Sequence, residues 1–119
     1  MTVKIGWRGE VVDVKGSLPV VGGKAPEFFL TANDLSEIQL VDFVGQNLVL
    51  NIFPSIDTPT CATSTRRFNE ELACLNNTAV LCVSADLPYA QKRFCASEGL
   101  DRVKTASTFR STFSDDYGV

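Results

Sequence analysis

Cys61 lies where the sequence favours a reactive thiol. A short apolar run, residues 48–53, ends at Pro54, and a helix is expected to begin with Thr58 as its N-cap and Pro59 at its first position. Cys61 then falls in the first helical turn, where unpaired backbone N–H groups and the helix dipole favour negative charge. We therefore expect the thiolate form to be favoured at this position.

Two arginines and three further cysteines bear on that interpretation. Arg66 and Arg67 follow Cys61 by about one turn and are candidate cations beside the thiolate. The competing interpretation is that a free cysteine usually behaves as a small buried hydrophobe. It fits Cys82, which lies inside a predicted strand, and Cys74 is assigned no role. For Cys61 the preceding strand, the proline and the helix cap favour a reactive thiol over a packing residue.

The composition limits the classes of protein. The chain has 119 residues, 45% of them hydrophobic, with a net charge of −3, which predicts one globular domain over residues 1–119. No basic stripe is present, which argues against nucleic acid or an anionic membrane as the main partner. No apolar run approaches the length of a bilayer span, and the N-terminal residues lack the core of a signal peptide. We therefore expect a cytoplasmic protein.

The absence of histidine excludes several chemistries. Ser-His-Asp triads, Cys-His dyads and His-ligated metal sites all require it. The four cysteines contain no C-x-x-C pair, which argues against a Cys₄ zinc site and against the usual thioredoxin motif. We expect no metal or cofactor, so Cys61 is activated by dipoles, hydroxyls or arginine.

Apolar patterning predicts the elements that position Cys61. A hairpin over residues 3–14 and a loop over 15–26 precede two short strands, 28–31 and 37–40, and one helical turn at 41–45. Residues 47–53 suit a central strand covered on both faces. A helix over 59–75, a parallel strand over 78–84, and a second helix that begins after Asp86 and ends near Gly99 should follow. Residues 102–107 and 112–117 suit a third inner strand and a short helix. On the first helix, Phe68, Leu72 and Leu75 should share the face of Cys61 and enter the core.

Cys95 is the second cysteine placed to react. Chemistry in an open α/β sheet gathers beyond the carboxyl ends of the strands, and Cys61 and Cys95 follow two neighbouring strands. Cys95 lies about two turns down its helix, so a bond between the two sulfurs calls for local rearrangement. A thiolate attacked by peroxide becomes a sulfenic acid, which a second thiol condenses with to form a disulfide. That sequence of steps requires no metal, flavin or histidine.

Longer strings around these residues resemble a known family. Pro54, Thr58 and Cys61 form the P-x-x-x-T-x-x-C motif of peroxiredoxins. NIFPSIDT before Cys61, SADLPYAQKRFC ending at Cys95 and the final ASTFRSTFSDDYGV resemble the bacterial thiol peroxidases, the atypical two-cysteine peroxiredoxins. The resemblance covers essentially the whole chain.

The resemblance implies a fold, an activity and a set of roles. The fold is thioredoxin-like, an α/β protein with an N-terminal β-hairpin and a central mixed sheet flanked by helices. Cys61 would be the peroxidatic and Cys95 the resolving cysteine, joined in an intramolecular disulfide that thioredoxin reduces after each turnover of hydrogen peroxide or organic hydroperoxide. Thr58 would hydrogen-bond the thiolate or the peroxide, and Pro54 would shield the pocket from water. Family members are commonly homodimers.

The family pattern also extends beyond residue 119. The further part carries strands, a final helix and an arginine that contacts the peroxidatic sulfur, and no arginine here matches it. We therefore expect a C-terminally truncated thioredoxin-like domain whose full activity needs the further segment. Arg110 belongs to the STFR string and is interpreted as a structural or dimer-edge residue.

Two alternatives stay open on the sequence. The same cysteines suit a general thiol–disulfide oxidoreductase or redox sensor, although the missing C-x-x-C and the presence of Pro54 and Thr58 count against it. The second alternative is a fragment without activity that binds a partner through an open sheet edge.

Overall fold

The computed structural model describes residues 2–72 and 74–119. These residues form, in chain order, β1 Thr2–Trp7, β2 Glu10–Lys15, β3 Phe29–Ala32, β4 Glu37–Gln39, β5 Asn47–Ile52, α1 Pro59–Glu71, β6 Thr78–Ser84, α2 Pro88–Glu98, β7 Lys104–Ser107 and α3 Phe113–Tyr117. A 3-10 turn, Leu40–Phe43, joins β4 to β5.

The strands form two sheets. β1 and β2 make a separate antiparallel hairpin, and the other five strands lie in the order β4-β3-β7-β6-β5. β5, β6 and β7 run parallel, whereas β3 is antiparallel to both β4 and β7. The expected hairpin and mixed sheet are therefore confirmed. The parallel strands also bring their carboxyl ends to one edge of the sheet.

The sheet has an apolar cluster on each face. One cluster, Val80, Cys82 and Val103, packs against Phe68 of α1 and against Leu72, which follows its last residue. The other is larger and centres on Leu81, Val83 and the α3 residues Phe113 and Tyr117. The Tyr117 hydroxyl donates a hydrogen bond to the carbonyl oxygen of Pro26, 2.7 Å away, and so ties α3 to the long loop after the hairpin. Alternation along the strands thus assigns Cys82 to the face that carries α1.

The prediction that residues 47–53 form a central strand covered on both faces is wrong. Among the described residues β5 pairs only with β6, at the edge of the sheet, and its side chains are half-buried or exposed. The strand buried on both faces is β6, where residues 80–84 are all buried. A continuous apolar run signals burial but does not say which neighbour pairs with the strand, and the topology makes that choice.

Helix α1 is shorter than predicted. It ends at Glu71 rather than near Leu75, and Leu75 is 52% exposed instead of entering the core. The chain has to turn back toward β6, and Asn77 adopts a positive φ of 53° to do so. The Asn77 side-chain amide donates to the carbonyl oxygen of Gly45, which fixes this turn at the start of β5. The remaining boundaries match the predictions to within about two residues, including the end of α2 at Gly99.

No helix among the described residues combines the length and apolar character that a membrane crossing requires.

Candidate active site

Cys61 lies in the first turn of α1 at the carboxyl edge of the sheet, as predicted. Thr58 is the N-cap residue, Pro59 begins the helix, and the Cys61 side chain is partly buried. The backbone carbonyl of Cys61 accepts hydrogen bonds from the hydroxyls of Ser64 and Thr65, each at 3.0 Å. Cys61 therefore lies at the positive end of the helix dipole, where the first-turn N–H groups have no partner within the helix.

Thr58 caps the helix by position but not through its side chain. Its backbone is extended, as an N-cap requires, yet the side chain forms no capping hydrogen bond. The Thr58 hydroxyl instead donates to the carbonyl oxygen of Ser55, 2.9 Å away. A hydroxyl oxygen that donates its proton keeps lone pairs for a further donor.

The predicted cations are engaged elsewhere. Arg66 forms a two-bond ion pair with Glu98 of α2, at 2.8 and 3.2 Å, and Arg67 pairs with Glu71 one turn along α1. The hydrogen bond from Arg66 lowers the pKa of Glu98. The Arg66 pair joins α1 to α2, and the Arg67 pair lies within α1.

Cys82 lies in β6, on the face of the sheet that α1 covers. It is fully buried, and its sulfur receives a hydrogen bond from the side-chain amide of Asn51, 3.7 Å away on β5. Burial raises the pKa of the Cys82 thiol to about 11, while contacts with Asn51 and Thr65 partly oppose that rise. The expectation of a buried packing residue is confirmed.

Cys95 packs against β7. Its side chain is only 8% exposed, and burial raises the pKa of its thiol. The Thr105 hydroxyl lies close enough to the Cys95 sulfur to oppose that rise slightly, although it finds no well-aligned hydrogen-bond partner there. One side of Cys95 reaches an open surface pocket that Lys92 and Leu100 also line.

The two candidate reactive cysteines lie at different depths. Asn51, Cys82 and Thr105 pair in register across β5, β6 and β7, and Cys95 contacts this row at Thr105. On α1 it is Thr65 that meets the row, so Cys61 lies one turn nearer the carboxyl edge, about 5.4 Å higher. All four cysteines are free thiols in this structure. The predicted difference in depth between Cys61 and Cys95 is therefore present.

Pro54 lines a cavity beside the sheet, and Arg110 contacts β3. Pro54 is exposed and lines an apolar cavity of about 320 Å³, together with Ile52, Phe53, Val83 and Phe113. Arg110 stacks over the Phe109 ring and donates to the Thr31 hydroxyl at 3.5 Å. Arg110 thus contacts the sheet, in agreement with a structural role.

Sequence reasoning missed the polar residues that hold the loop before α1. The carboxylate of Asp86 accepts hydrogen bonds from Ser55 and Ile56 of that loop. The signal was available, because Asp86 follows the end of β6 by two residues and so must lie at the reactive edge of the sheet.

Comparison with known proteins identifies the family. The family model described as Redoxin matches residues 20–119. Thiol peroxidases from Mycobacterium tuberculosis and Corynebacterium glutamicum are 53% and 51% identical over 116 residues, which is 98% of this chain and 70% of each relative. The crystal structure of a peroxiredoxin-like protein from Aquifex aeolicus matches 99% of this chain and 70% of that chain, with a TM-score of 0.86 at 38% identity.

These similarities define a redoxin fold, of the thioredoxin-like type expected from the sequence. The chain therefore belongs to the redoxin family, and within it to the thiol peroxidases, which are peroxiredoxin-type enzymes. The family resemblance drawn from the strings before Cys61 and Cys95 is confirmed.

Proposed function

We propose that Cys61 is the peroxidatic cysteine and Cys95 the resolving cysteine of this thiol peroxidase, acting within one thioredoxin-like domain over residues 1–119. Hydrogen peroxide and organic hydroperoxides are the substrates. The single observation that carries the proposal is the position of Cys61, partly exposed in the first turn of α1 at the carboxyl edge of three parallel strands.

The reaction balances without a cofactor. The Cys61 thiolate attacks one peroxide oxygen, the O–O bond breaks, and the leaving alkoxide takes a proton to give an alcohol or water. The resulting Cys61 sulfenic acid condenses with the Cys95 thiol, which forms the S–S bond and releases water. A dithiol of the thioredoxin type then reduces the disulfide, is itself oxidised, and restores both thiols.

Thr58 and Pro54 assist the first step in this proposal. The Thr58 hydroxyl, three residues before Cys61, accepts a hydrogen bond from the bound hydroperoxide, and Pro54 limits access of water to the sulfur. The hydrogen bond from the Thr58 hydroxyl to the Ser55 carbonyl oxygen supports this role, since it leaves the Thr58 oxygen free to accept a hydrogen bond from a bound hydroperoxide.

The condensation needs Cys95 to leave its packed position. The difference of about one helical turn in depth, and the burial of Cys95 against β7, support a step in which part of α2 unwinds or shifts. We further propose that the chain acts in the cytoplasm, where a thioredoxin-type reductant is available, and that it works as a homodimer.

Mass spectrometry after one equivalent of hydrogen peroxide tests the roles. The wild-type chain should show a 61–95 disulfide, Cys95→Ser should stop at sulfenic or further oxidised Cys61, and Cys61→Ser should consume no peroxide. Cys74→Ser is the matched control, because it removes an exposed thiol outside the site. Disulfide exchange on a model substrate without peroxide consumption would instead favour the general oxidoreductase.

A further inference from the structure

Asp86 joins three segments at the reactive edge of the sheet. Its carboxylate accepts hydrogen bonds from the Ser55 hydroxyl, the Ile56 backbone N–H and the Ser84 hydroxyl, each at 2.7 Å. Its backbone carbonyl accepts a fourth hydrogen bond, from the Ser107 hydroxyl at 2.5 Å. One residue thus binds the loop before α1, the end of β6 and the end of β7.

The loop side of this cluster leads to the peroxidatic position. Asp86 holds Ser55, and the Ser55 carbonyl oxygen accepts hydrogen bonds from both the backbone N–H and the hydroxyl of Thr58. Thr58 is the N-cap residue of α1 and lies three positions before Cys61. The placement of the Thr58 hydroxyl relative to the Cys61 sulfur therefore depends on bonds that end at the Asp86 carboxylate.

The Ser84 side of this cluster is connected to α2, the helix that carries the resolving cysteine. α2 begins at Pro88, two residues after Asp86. Gln91, only 2% exposed, donates from its side-chain amide to the Ser84 hydroxyl and to the carbonyl oxygen of Ala106, both at 2.9 Å. The Ser84 hydroxyl in turn donates to Asp86. The first turn of α2 and the loop before α1 are consequently anchored to one carboxylate.

We propose that Asp86 is a positioning residue that holds the peroxidatic loop and the first turn of α2 together while Cys61 and Cys95 are reduced. The inference rests on the proposed roles of those two cysteines. While the bonds to Asp86 persist, Thr58 is set for attack on peroxide and Cys95 stays at its deeper level. Loosening them disturbs the first step and releases α2 for the second.

This arrangement sets a competition after the first oxidation. The Cys61 sulfenic acid either condenses with Cys95 and releases water, or reacts with a second hydroperoxide to give a sulfinic acid and an alcohol. A link that delays the movement of α2 prolongs the life of the sulfenic acid. Removing the hydrogen bonds to Asp86 should therefore slow the attack of Cys61 on peroxide. It should also lower the fraction of Cys61 that becomes sulfinic acid.

Asp86→Asn tests the proposal against a matched control. Asp57→Asn removes the same charge from the loop before α1, at an exposed carboxylate whose ion pair with Arg93 spans a loose 3.7 Å. We expect Asp86→Asn to lower the stopped-flow rate constant for peroxide consumption by about tenfold, since small displacements of a reacting pair cost about that much or more. In the same variant, mass spectrometry at rising peroxide should show at least about threefold less sulfinic Cys61 per turnover.

Backbone amide hydrogen exchange supplies a readout that a general loss of stability would not reproduce. In Asp86→Asn, exchange should quicken at Ile56 and Thr58 and in the first turn of α2, but not in β6. Should the variant fail to fold, Ser55→Ala and Ser84→Ala take its place, each removing one hydrogen bond to the carboxylate. Ser55→Ala should mainly slow peroxide attack, and Ser84→Ala should mainly reduce sulfinic acid formation.

An unchanged rate and unchanged sulfinic fraction in a folded Asp86→Asn variant, or in both serine variants, overturns the proposal. So does an effect no greater than that of Asp57→Asn. The failure is distinct from failure of the proposed function, in which the wild-type chain itself would consume no peroxide or form no 61–95 disulfide.

Discussion

The Thr58 hydroxyl donates its hydrogen bond to the carbonyl oxygen of Ser55, 2.9 Å away, instead of accepting one from the first turn of α1. The residue type that the sequence offers as a helix cap is therefore not used as one. Because the hydroxyl donates its one proton to its own loop, its orientation is fixed and its remaining lone pairs can only accept. A chemical role for the Thr58 hydroxyl can therefore be tested independently of any contribution of its side chain to helix stability.

Replacing Thr58 should affect peroxide consumption much more than the stability of the fold. We expect Thr58→Val to slow peroxide consumption by about 10²-fold, the usual effect of losing one positioned hydrogen-bonding group in an active site. Its free energy of unfolding should change by less than about 1 kcal/mol, since no side-chain cap is lost. Thr58→Ser keeps the hydroxyl and serves as the control. Stopped-flow kinetics and urea unfolding check the two parts, and equal loss of activity in the serine variant would contradict the prediction.

Arg66 should contribute to the contact between helices rather than to the reactivity of Cys61. Its guanidinium is bound to Glu98 of α2 through two hydrogen bonds. We therefore expect Arg66→Gln to change the iodoacetamide alkylation rate of Cys61 by less than about twofold. Arg67→Gln, which breaks the pair with Glu71 within α1, is the matched control. A fall of tenfold or more in Arg66→Gln alone would show that this arginine activates the thiolate after all.

Cys82 should make stability depend on pH in the alkaline range. Burial raises the pKa of Cys82 to about 11, whereas an unfolded cysteine titrates near about 8.5. Between those values the unfolded chain loses a proton that the native chain keeps, so the free energy of unfolding falls as pH rises. The contribution is present in full below about pH 8.5 and lost by about pH 11, with a total of about 3 kcal/mol.

Urea unfolding of the reduced protein from pH 7 to pH 10.5 measures this fall. Cys82→Ala removes the titrating group, and its curve should start lower, because of the cavity left behind, but decline less steeply. The gap between the two proteins should narrow by about 2 kcal/mol over that range. Parallel curves would contradict the prediction.

Asn69 should be a strong determinant of stability in α1. Its side-chain oxygen accepts hydrogen bonds from the backbone N–H groups of Arg102 and Val103, at 2.9 and 3.1 Å, in a largely buried position. Asn69→Ala leaves both N–H groups without an acceptor, so we expect a loss of about 2 to 4 kcal/mol in urea unfolding. Asn69→Asp retains acceptor oxygens and should lose clearly less. Equal losses would assign the effect to the volume of the side chain.

Local signals were sufficient for much of this fold. Gly99 ends α2 where the sequence predicts, and Pro88 begins it, because both act through backbone conformation that needs no distant partner. The same holds for Cys61, whose place in the first turn of α1 follows from Thr58 and Pro59. Leu75 shows where local signals fail. The periodic apolar pattern continues past Glu71, but the turn toward β6 ends the helix at Glu71 and leaves Leu75 outside it.

The family, the two candidate cysteines and nearly all of the elements could be predicted from the sequence, because motif spacing and periodicity are local properties. The position of β5 at the sheet edge, the pairing of Arg66 with Glu98 and the hold of Asp86 on the loop before α1 emerged only from the folded chain. The reason is physical: each of these depends on which distant groups come within about 3 to 5 Å, and strand order and side-chain reach are fixed only when the chain packs.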